Sequence, residues 1–199
     1  MKRPLRLGVL GSGKGSNFRA IMEQIVDGRL DAEVRVVISD VENSGILSLA
    51  RDFQVPGLYV CPGRFRTRLA PENEEEIVQI LLEADVELVV LAGFMRIVKQ
   101  PLLGAFPRRI INIHPSLLPK FPGLEAWKQA LAAGEKATGC TVHYVDAAVD
   151  AGEILGKETV PILPDDTPET LHARIQLSEH VLLPAVIARI AERSREPEP

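Results

Sequence analysis

The chain has 199 residues, of which 46% are hydrophobic, 25% charged and 5% aromatic, and its formal net charge at pH 7 is −4. These values are typical of a globular domain that buries about 70% of its unfolded surface and needs no disulfide or metal. With only two cysteines, the chain cannot form a disulfide scaffold, and its negative charge does not attract nucleic acid. A membrane-spanning helix needs about 20 apolar residues, and every apolar run here is much shorter. We therefore expect a cytoplasmic protein with no signal peptide, no nucleic-acid or membrane partner and no metal.

Short apolar runs alternate with helical patterns through the first part of the chain. Strands are predicted at 6–10, 34–39, 58–61, 86–92 and 109–114, and helices at 18–26, 46–53 and 74–84. We expect the acidic run at the start of the third helix to be a solvated face. The alternation predicts an α/β fold with a doubly wound, mostly parallel sheet and helices on both faces.

The pattern changes in the last third of the chain. Alternating runs at 140–145 and 153–160, with no long helix between them, predict an antiparallel extension of the sheet. Thr167 followed by Pro168 predicts the N-cap and first turn of a helix. The helix is expected to run to about residue 193, with a kink at Pro184. We expect a single domain over 1–194 and a disordered tail at 195–199.

A glycine-rich loop, GSGKGSN at 11–17, follows the first predicted strand and opens a helix. Backbone N–H groups that converge at a helix N-terminus bind anions. The dinucleotide fingerprint needs glycine where Ser16 stands, and the phosphate loop of nucleotide triphosphatases needs Ser or Thr where Gly15 stands. We therefore expect a small phosphate monoester here, with a plain helix-capping turn as the alternative.

The segment INIHPSLLP, at 111–119, carries the sharpest chemical signal. Strand alternation puts Asn112 and His114 on one face, and Pro115 ends the strand where α/β sheets bind ligands. An amide donor beside an imidazole suits a developing oxyanion. The alternative is that His114 satisfies a loop carbonyl and Asn112 caps a turn.

Asp150 lies in a predicted turn between two strands. A carboxylate beside an imidazole raises the pKa of the histidine and orients the ring, so Asp150 is the candidate partner of His114. An Asx turn that starts a hairpin is the alternative. From the pattern alone we expect His143 to be a supporting residue, Cys140 to be a core residue and Glu179 to face solvent.

The motifs GSGKGSN, LAGFMRI, INIHPSLLPKFPG, GCTVHYVDAAVDAGEI and LSEH together resemble those of the folate-dependent phosphoribosylglycinamide formyltransferase family. The resemblance extends from residue 5 to about residue 190. It implies the formyltransferase variant of the Rossmann-like fold. It also implies formyl transfer from the co-substrate 10-formyltetrahydrofolate to the amine of glycinamide ribonucleotide, in purine biosynthesis.

The resemblance further implies roles for three catalytic residues. Asn112 and His114 would stabilise the tetrahedral oxyanion, with His114 as a charged donor and later the general acid. Asp150 would raise the pKa of His114 and, through water, relay the amine proton to the leaving folate nitrogen.

Binding residues follow from the same motifs. The ribonucleotide is expected to contact Gly15, Ser16, Asn17, Gln176 and Glu179. The folate is expected to contact Arg68, Met95, Arg96, Ile97, Val98, Asn112, Asp146, Ala147 and Asp150. A gapless match places Ala70 where the family often carries an arginine that contacts the folate side, which is a departure from the family pattern. Among the nearby Arg64, Arg66 and Arg68, our choice for this arginine is Arg68.

Other activities remain open on the sequence. Formyltetrahydrofolate hydrolase uses water as acceptor, another formyltransferase would use a different amine, and a nucleotide-binding module would not catalyse. We expect neither the extra N-terminal domain of the hydrolase nor the RNA-binding domain of methionyl-tRNA formyltransferase. We expect small-molecule substrates only, and a monomer or weak homodimer.

Overall fold

The computed structural model describes residues 3–194, so the predicted tail at 195–199 lies outside the described residues. The elements in chain order are β1 (Leu5–Leu10), α1 (Ser16–Val26), β2 (Ala32–Ser39), α2 (Gly45–Asp52), β3 (Gly57–Tyr59), α3 (Pro71–Glu83), β4 (Leu88–Leu91), α4 (Gln100–Ala105), β5 (Ile110–His114), α5 (Ala126–Ala132), β6 (Ala137–Tyr144), β7 (Ile154–Pro161) and α6 (Pro168–Arg193).

These strands form one seven-stranded sheet in the order β3-β2-β1-β4-β5-β6-β7. The pairs from β3 to β5 are parallel, whereas β5–β6 and β6–β7 are antiparallel. Both the doubly wound parallel sheet and its antiparallel extension are thereby confirmed. Helices α4 and α5 were not predicted, because six and seven residues are too few for an apolar period to emerge.

Two apolar cores cover the two faces of the sheet. Helices α1, α2 and α6 bury residues such as Phe18, Ile46 and Ile187 on one face, and α3 and α4 bury Ile77 and Leu102 on the other. Each such side chain contributes about 1.5–3 kcal/mol when it leaves water. The two layers fix the strand ends from which the site is built.

Helix α6 begins as predicted, whereas the acidic start of α3 differs from the prediction. The Thr167 hydroxyl accepts from the Thr170 N–H at 3.3 Å, and the Thr170 hydroxyl accepts from the Thr167 N–H at 2.9 Å, which closes a capping box. In α3, Glu74 is only 1% exposed and its carboxylate accepts from the Lys99 N–H at 2.6 Å. The expected solvated face is therefore wrong for Glu74, because α4 packs against α3 and covers it.

Candidate active site

The carboxyl ends of three parallel strands meet at one edge of the sheet. Strand register places Leu10 beside Leu91, and Leu91 beside Asn112. The glycine-rich loop, the segment after β4 and the end of β5 therefore lie next to one another, where open α/β sheets bind ligands. A cavity of about 380 Å³ opens here, lined mainly by residues 93–98, 112–115, 123–125 and 145–150.

Asn112 lines this cavity and is oriented by His143 on the neighbouring strand. The two residues are opposite each other in the β5–β6 ladder. The Tyr144 carbonyl lies 2.8 Å from His143 Nδ1, and a carbonyl only accepts, so Nδ1 carries the proton. In the neutral ring, His143 Nε2 then accepts from the Asn112 amide at 3.3 Å. The supporting role predicted for His143 thus has a concrete basis in the fixed orientation of Asn112.

His114 is 5% exposed, and both ring nitrogens face acceptors. Nε2 lies 2.9 Å from the Phe121 carbonyl and therefore donates to it, and Nδ1 lies 3.4 Å from Asp150 Oδ2. Burial nevertheless lowers the pKa of His114, and it outweighs the raising influence of the Phe121 carbonyl and of Asp150. Asp150 acts on the pKa of His114 in the expected direction, because its charge raises it, but the loss of water makes the net pKa lower.

Asp150 joins the two histidines to the loop before α5. Its Oδ2 accepts from the Gly123 N–H at 2.8 Å, and its Oδ1 lies 3.6 Å from His143 Nε2. Burial raises the pKa of Asp150, but its hydrogen-bonding partners, the Gly123 N–H among them, lower it below the ordinary value. The carboxylate is therefore ionised at neutral pH. The Asx turn in this loop is formed by Asp146 rather than Asp150, since Asp146 accepts from the Ala148 N–H at 2.9 Å.

The glycine-rich loop ends at Gly15, which precedes α1 with a φ of 79°. A β-carbon there would lie 2.8 Å from the Ile46 Cα, so the left-handed turn and the packing of α2 both require glycine. No side chain caps the helix, so the N–H groups at its start, from Ser16 onward, have no side-chain partner, and uncapped N–H groups of this kind bind anions.

Glu179 on α6 faces this loop instead of solvent, which corrects the expectation from its pattern. It is 4% exposed and accepts from the Asn17 amide at 2.8 Å. The pKa of Glu179 is raised to about 7, because the effect of burial exceeds the lowering effect of the Asn17 hydrogen bond. The Asn17 carbonyl oxygen, Oδ1, is buried without a hydrogen-bond partner within residues 3–194. Gln176 lies one turn earlier on α6 and is half-buried.

Most of the residues expected to contact the folate line the cavity: Met95, Arg96, Ile97, Val98, Asn112, Asp146, Ala147 and Asp150. Arg68 does not, because its guanidinium lies over the Phe65 ring at 4.1 Å. Of the three arginines considered, Arg66 is the one at the cavity. The structure therefore favours Arg66 over Arg68 at this position.

Sequence reasoning missed one wall of the cavity. Gly123, Leu124, Glu125 and Trp127 line it, and they precede or begin the unpredicted helix α5. The sequence around Gly123 carried no sign of its contact with Asp150. Cys140 is fully buried and burial raises its pKa to about 12, so its prediction as a core residue is confirmed.

Residues 3–194 contain neither a candidate membrane span nor a candidate metal cluster. They contain no helix both long and apolar enough to cross a bilayer. They also contain no cluster of three or more His, Cys, Asp or Glu side chains that could hold a metal ion.

Comparisons with known proteins show which family this sequence is similar to. The sequence model of the formyl transferase family matches residues 5–187. The phosphoribosylglycinamide formyltransferase of Bacillus subtilis is 39% identical over 93% of this chain and 94% of that protein. The Drosophila melanogaster trifunctional purine biosynthetic protein adenosine-3 is 42% identical over 95% of this chain, which spans only 14% of that protein.

Solved structures give the same result. Glycinamide ribonucleotide transformylase 1 from Symbiobacterium toebii has a TM-score of 0.92 and 45% identity, over 100% of this chain and 92% of that one. Phosphoribosylglycinamide formyltransferase from Bacillus halodurans has a TM-score of 0.89 and 41% identity, over 96% and 97%. The family match covers far more than half of the sequence, and the chain belongs to the formyl transferase family.

Proposed function

We propose that the chain transfers the formyl group of 10-formyltetrahydrofolate to the amine of glycinamide ribonucleotide. The products are formylglycinamide ribonucleotide and tetrahydrofolate, and the reaction belongs to purine biosynthesis. The observation that carries the proposal is the contact of Asp150 with His114, at 3.4 Å, in a cavity that Asn112 also lines. The names of the full-length relatives support the same substrate.

The cavity suits a folate in size and character. Its volume of about 380 Å³ is that of a small-molecule site, and Leu91, Phe94 and Val98 supply apolar walls for a flat heterocycle. Residues 95–98 and 146–147 also line the cavity, and their backbone groups would meet the pterin edges. Arg66, at the mouth, offers a cation to a folate carboxylate.

The ribonucleotide fits the adjoining loop. Its phosphate would be held by backbone N–H groups at the start of α1, where the helix dipole also favours negative charge. Glu179, buried and within 2.8 Å of the Asn17 amide, would accept hydrogen bonds from the ribose hydroxyls. This arrangement lets a protein of net charge −4 bind an anionic substrate through local groups.

The chemistry follows from the protonation states in the cavity. The ribonucleotide amine attacks the formyl carbon, and the carbonyl electron pair moves to the formyl oxygen. The Asn112 amide donates a hydrogen bond to that oxyanion, and the His114 ring would donate a second one once its Nε2–H turns from the Phe121 carbonyl. Asp150, ionised because its pKa is lowered, accepts the amine proton through water. The oxyanion then re-forms the C=O bond, the carbon–nitrogen bond to folate breaks, and the proton passes to the folate nitrogen.

An acceptor test decides the reaction. Tetrahydrofolate release from 10-formyltetrahydrofolate is followed with purified protein, with and without glycinamide ribonucleotide. We expect release that depends on the ribonucleotide, and a matched loss of release in His114→Ala. Release at the same rate without the ribonucleotide would indicate a hydrolase, and no release would leave only a binding role.

A second arm tests the phosphate site. The unphosphorylated glycinamide riboside should bind far more weakly than its phosphate ester, because it offers no charge to the N-terminus of α1. Equal affinity would remove the glycine-rich loop from the binding site. A monomer or weak homodimer in the cytoplasm remains our prediction from the sequence.

A further inference from the structure

A buried carboxylate outside the proposed catalytic set connects the two substrate regions. Asp40 follows β2 directly and is 5% exposed. Its two oxygens bond to different segments of the chain, Oδ1 to Ser12 of the glycine-rich loop and Oδ2 to Arg96 of the cavity wall. Asp40 was not predicted from the sequence as a site residue, and it has no role in the proposed reaction.

The first connection runs from the glycine-rich loop to the cavity wall. The Ser12 hydroxyl donates to Asp40 Oδ1 at 2.5 Å and accepts from the Met95 N–H at 2.8 Å. The Ser12 N–H donates to the Gly93 carbonyl at 3.0 Å. Because the Ser12 hydroxyl points its hydrogen at Asp40, the lone pairs of its oxygen are directed at the Met95 N–H. The carboxylate thereby sets the distance between residues 93–95 and the loop.

The second connection extends to the mouth of the cavity. Arg96 Nε donates to Asp40 Oδ2 at 2.6 Å, and Arg96 Nη1 donates to the carbonyls of Phe65 and Arg66. The Arg96 side chain is 17% exposed, so its charge is paired inside the protein. Arg96 therefore shapes the wall and holds the backbone of Arg66, and its cation is not free for a folate carboxylate.

We propose that Asp40 is a positioning residue that holds the folate wall, residues 93–98, at a fixed place against the glycine-rich loop. This inference rests on the proposed function, because it assigns the wall to folate and the loop to the ribonucleotide. Asp40 touches neither substrate. It acts by holding the Ser12 hydroxyl and the Arg96 guanidinium, so the two reactants meet at the separation that transfer requires.

A purely structural ion pair makes a different prediction. Removing one partner of a buried pair destabilises the fold, which lowers the fraction of active molecules and hence kcat, but leaves the KM of the remaining molecules unchanged. A positioning role instead moves the affinity for folate, because residues 93–98 lose their anchor. The separation of KM from kcat therefore distinguishes the two roles.

The test compares four variants with the wild-type protein by calorimetric titration with tetrahydrofolate and by steady-state kinetics. Asp40→Ala should weaken tetrahydrofolate binding and raise the folate KM by about tenfold, the equivalent of one or two lost hydrogen bonds. Ser12→Ala, which keeps the ion pair, should give a smaller change in the same direction. Asp40→Asn should restore affinity to within about threefold, because its amide can still accept from Arg96 and donate to Ser12.

The control is Glu42→Ala, which removes the same charge from an exposed site two residues away and should leave both constants unchanged. Unaltered folate affinity in folded Asp40→Ala and Ser12→Ala would overturn the positioning role. The titration needs no turnover, so a wild-type protein that binds tetrahydrofolate but transfers no formyl group refutes the proposed function and still decides the role of Asp40. A wild-type protein that does not bind tetrahydrofolate overturns both.

Discussion

The Glu179→Gln variant is expected to be more stable than the wild-type protein and to bind the ribonucleotide less well. The carboxyl is buried and its pKa is raised from 4.5 to about 7, so the folded state holds this proton more tightly than the unfolded state does. Its contribution to stability is complete below pH 4.5 and is lost as pH rises through about 7. Glutamine stays neutral throughout and can still accept from the Asn17 amide.

The magnitude follows from the two pKa values. At about 1.4 kcal/mol for each tenfold change in proton affinity, raising pH from 5 to 8 should cost the wild-type protein about 2.5 kcal/mol that the variant keeps. With a urea m-value of about 2–3 kcal/mol/M, the difference between the two unfolding midpoints should grow by about 1 M over this range. The contributions of the other titrating groups cancel in the difference between the two unfolding free energies, because both proteins contain these groups.

Urea unfolding at a series of pH values, followed by circular dichroism, measures this difference. Parallel stability profiles would refute the reasoning, since they would mean that Glu179 has the same pKa folded and unfolded. Ribonucleotide titration is the second readout. A carboxylate bonds hydroxyls more strongly than an amide does, so the variant should bind about tenfold more weakly above pH 7. The wild-type advantage should shrink as Glu179 becomes protonated below pH 7.

Three further predictions concern the catalytic cavity. His114→Ala should abolish formyl transfer while circular dichroism and thermal unfolding show a folded protein; near-normal turnover would remove His114 from the mechanism. Asn112→Ala should lower kcat by about 10²–10³, as for a lost oxyanion donor, and a change confined to KM would assign it to binding alone. Asp150→Asn should lower the pKa of His114 further, because it removes a raising influence, and NMR titration of the ring would show no change if Asp150 were uninvolved.

Local patterns were sufficient for the sheet and for the pair on β5. The alternation of apolar runs with helical periods predicted the parallel part, and the switch to strand-only runs predicted the antiparallel extension. Asn112 and His114 are two residues apart on one strand, so the period of a strand alone put them on one face. Such features depend on neighbours in the sequence, which is why they were predictable.

Features that depend on distant contacts were not predictable. Glu179 lies 162 residues from Asn17, and only the packing of α6 on α1 brings the two together. The burial of Glu74 likewise depends on α4, a helix too short to show a period. Arg68 was chosen among three nearby arginines, but its guanidinium lies over the Phe65 ring and it does not line the cavity.

His114 shows why a pairwise contact does not fix a protonation state. Asp150 and the Phe121 carbonyl both favour the imidazolium, yet the loss of water outweighs them and lowers the pKa. A negative charge on the formyl oxygen would add a third favourable partner in the same poorly hydrated cavity, where charges interact strongly. The proton affinity of His114 should therefore rise as the oxyanion forms and fall as it collapses. A neutral ring in the resting site is thus compatible with an acid that is generated only during the transfer.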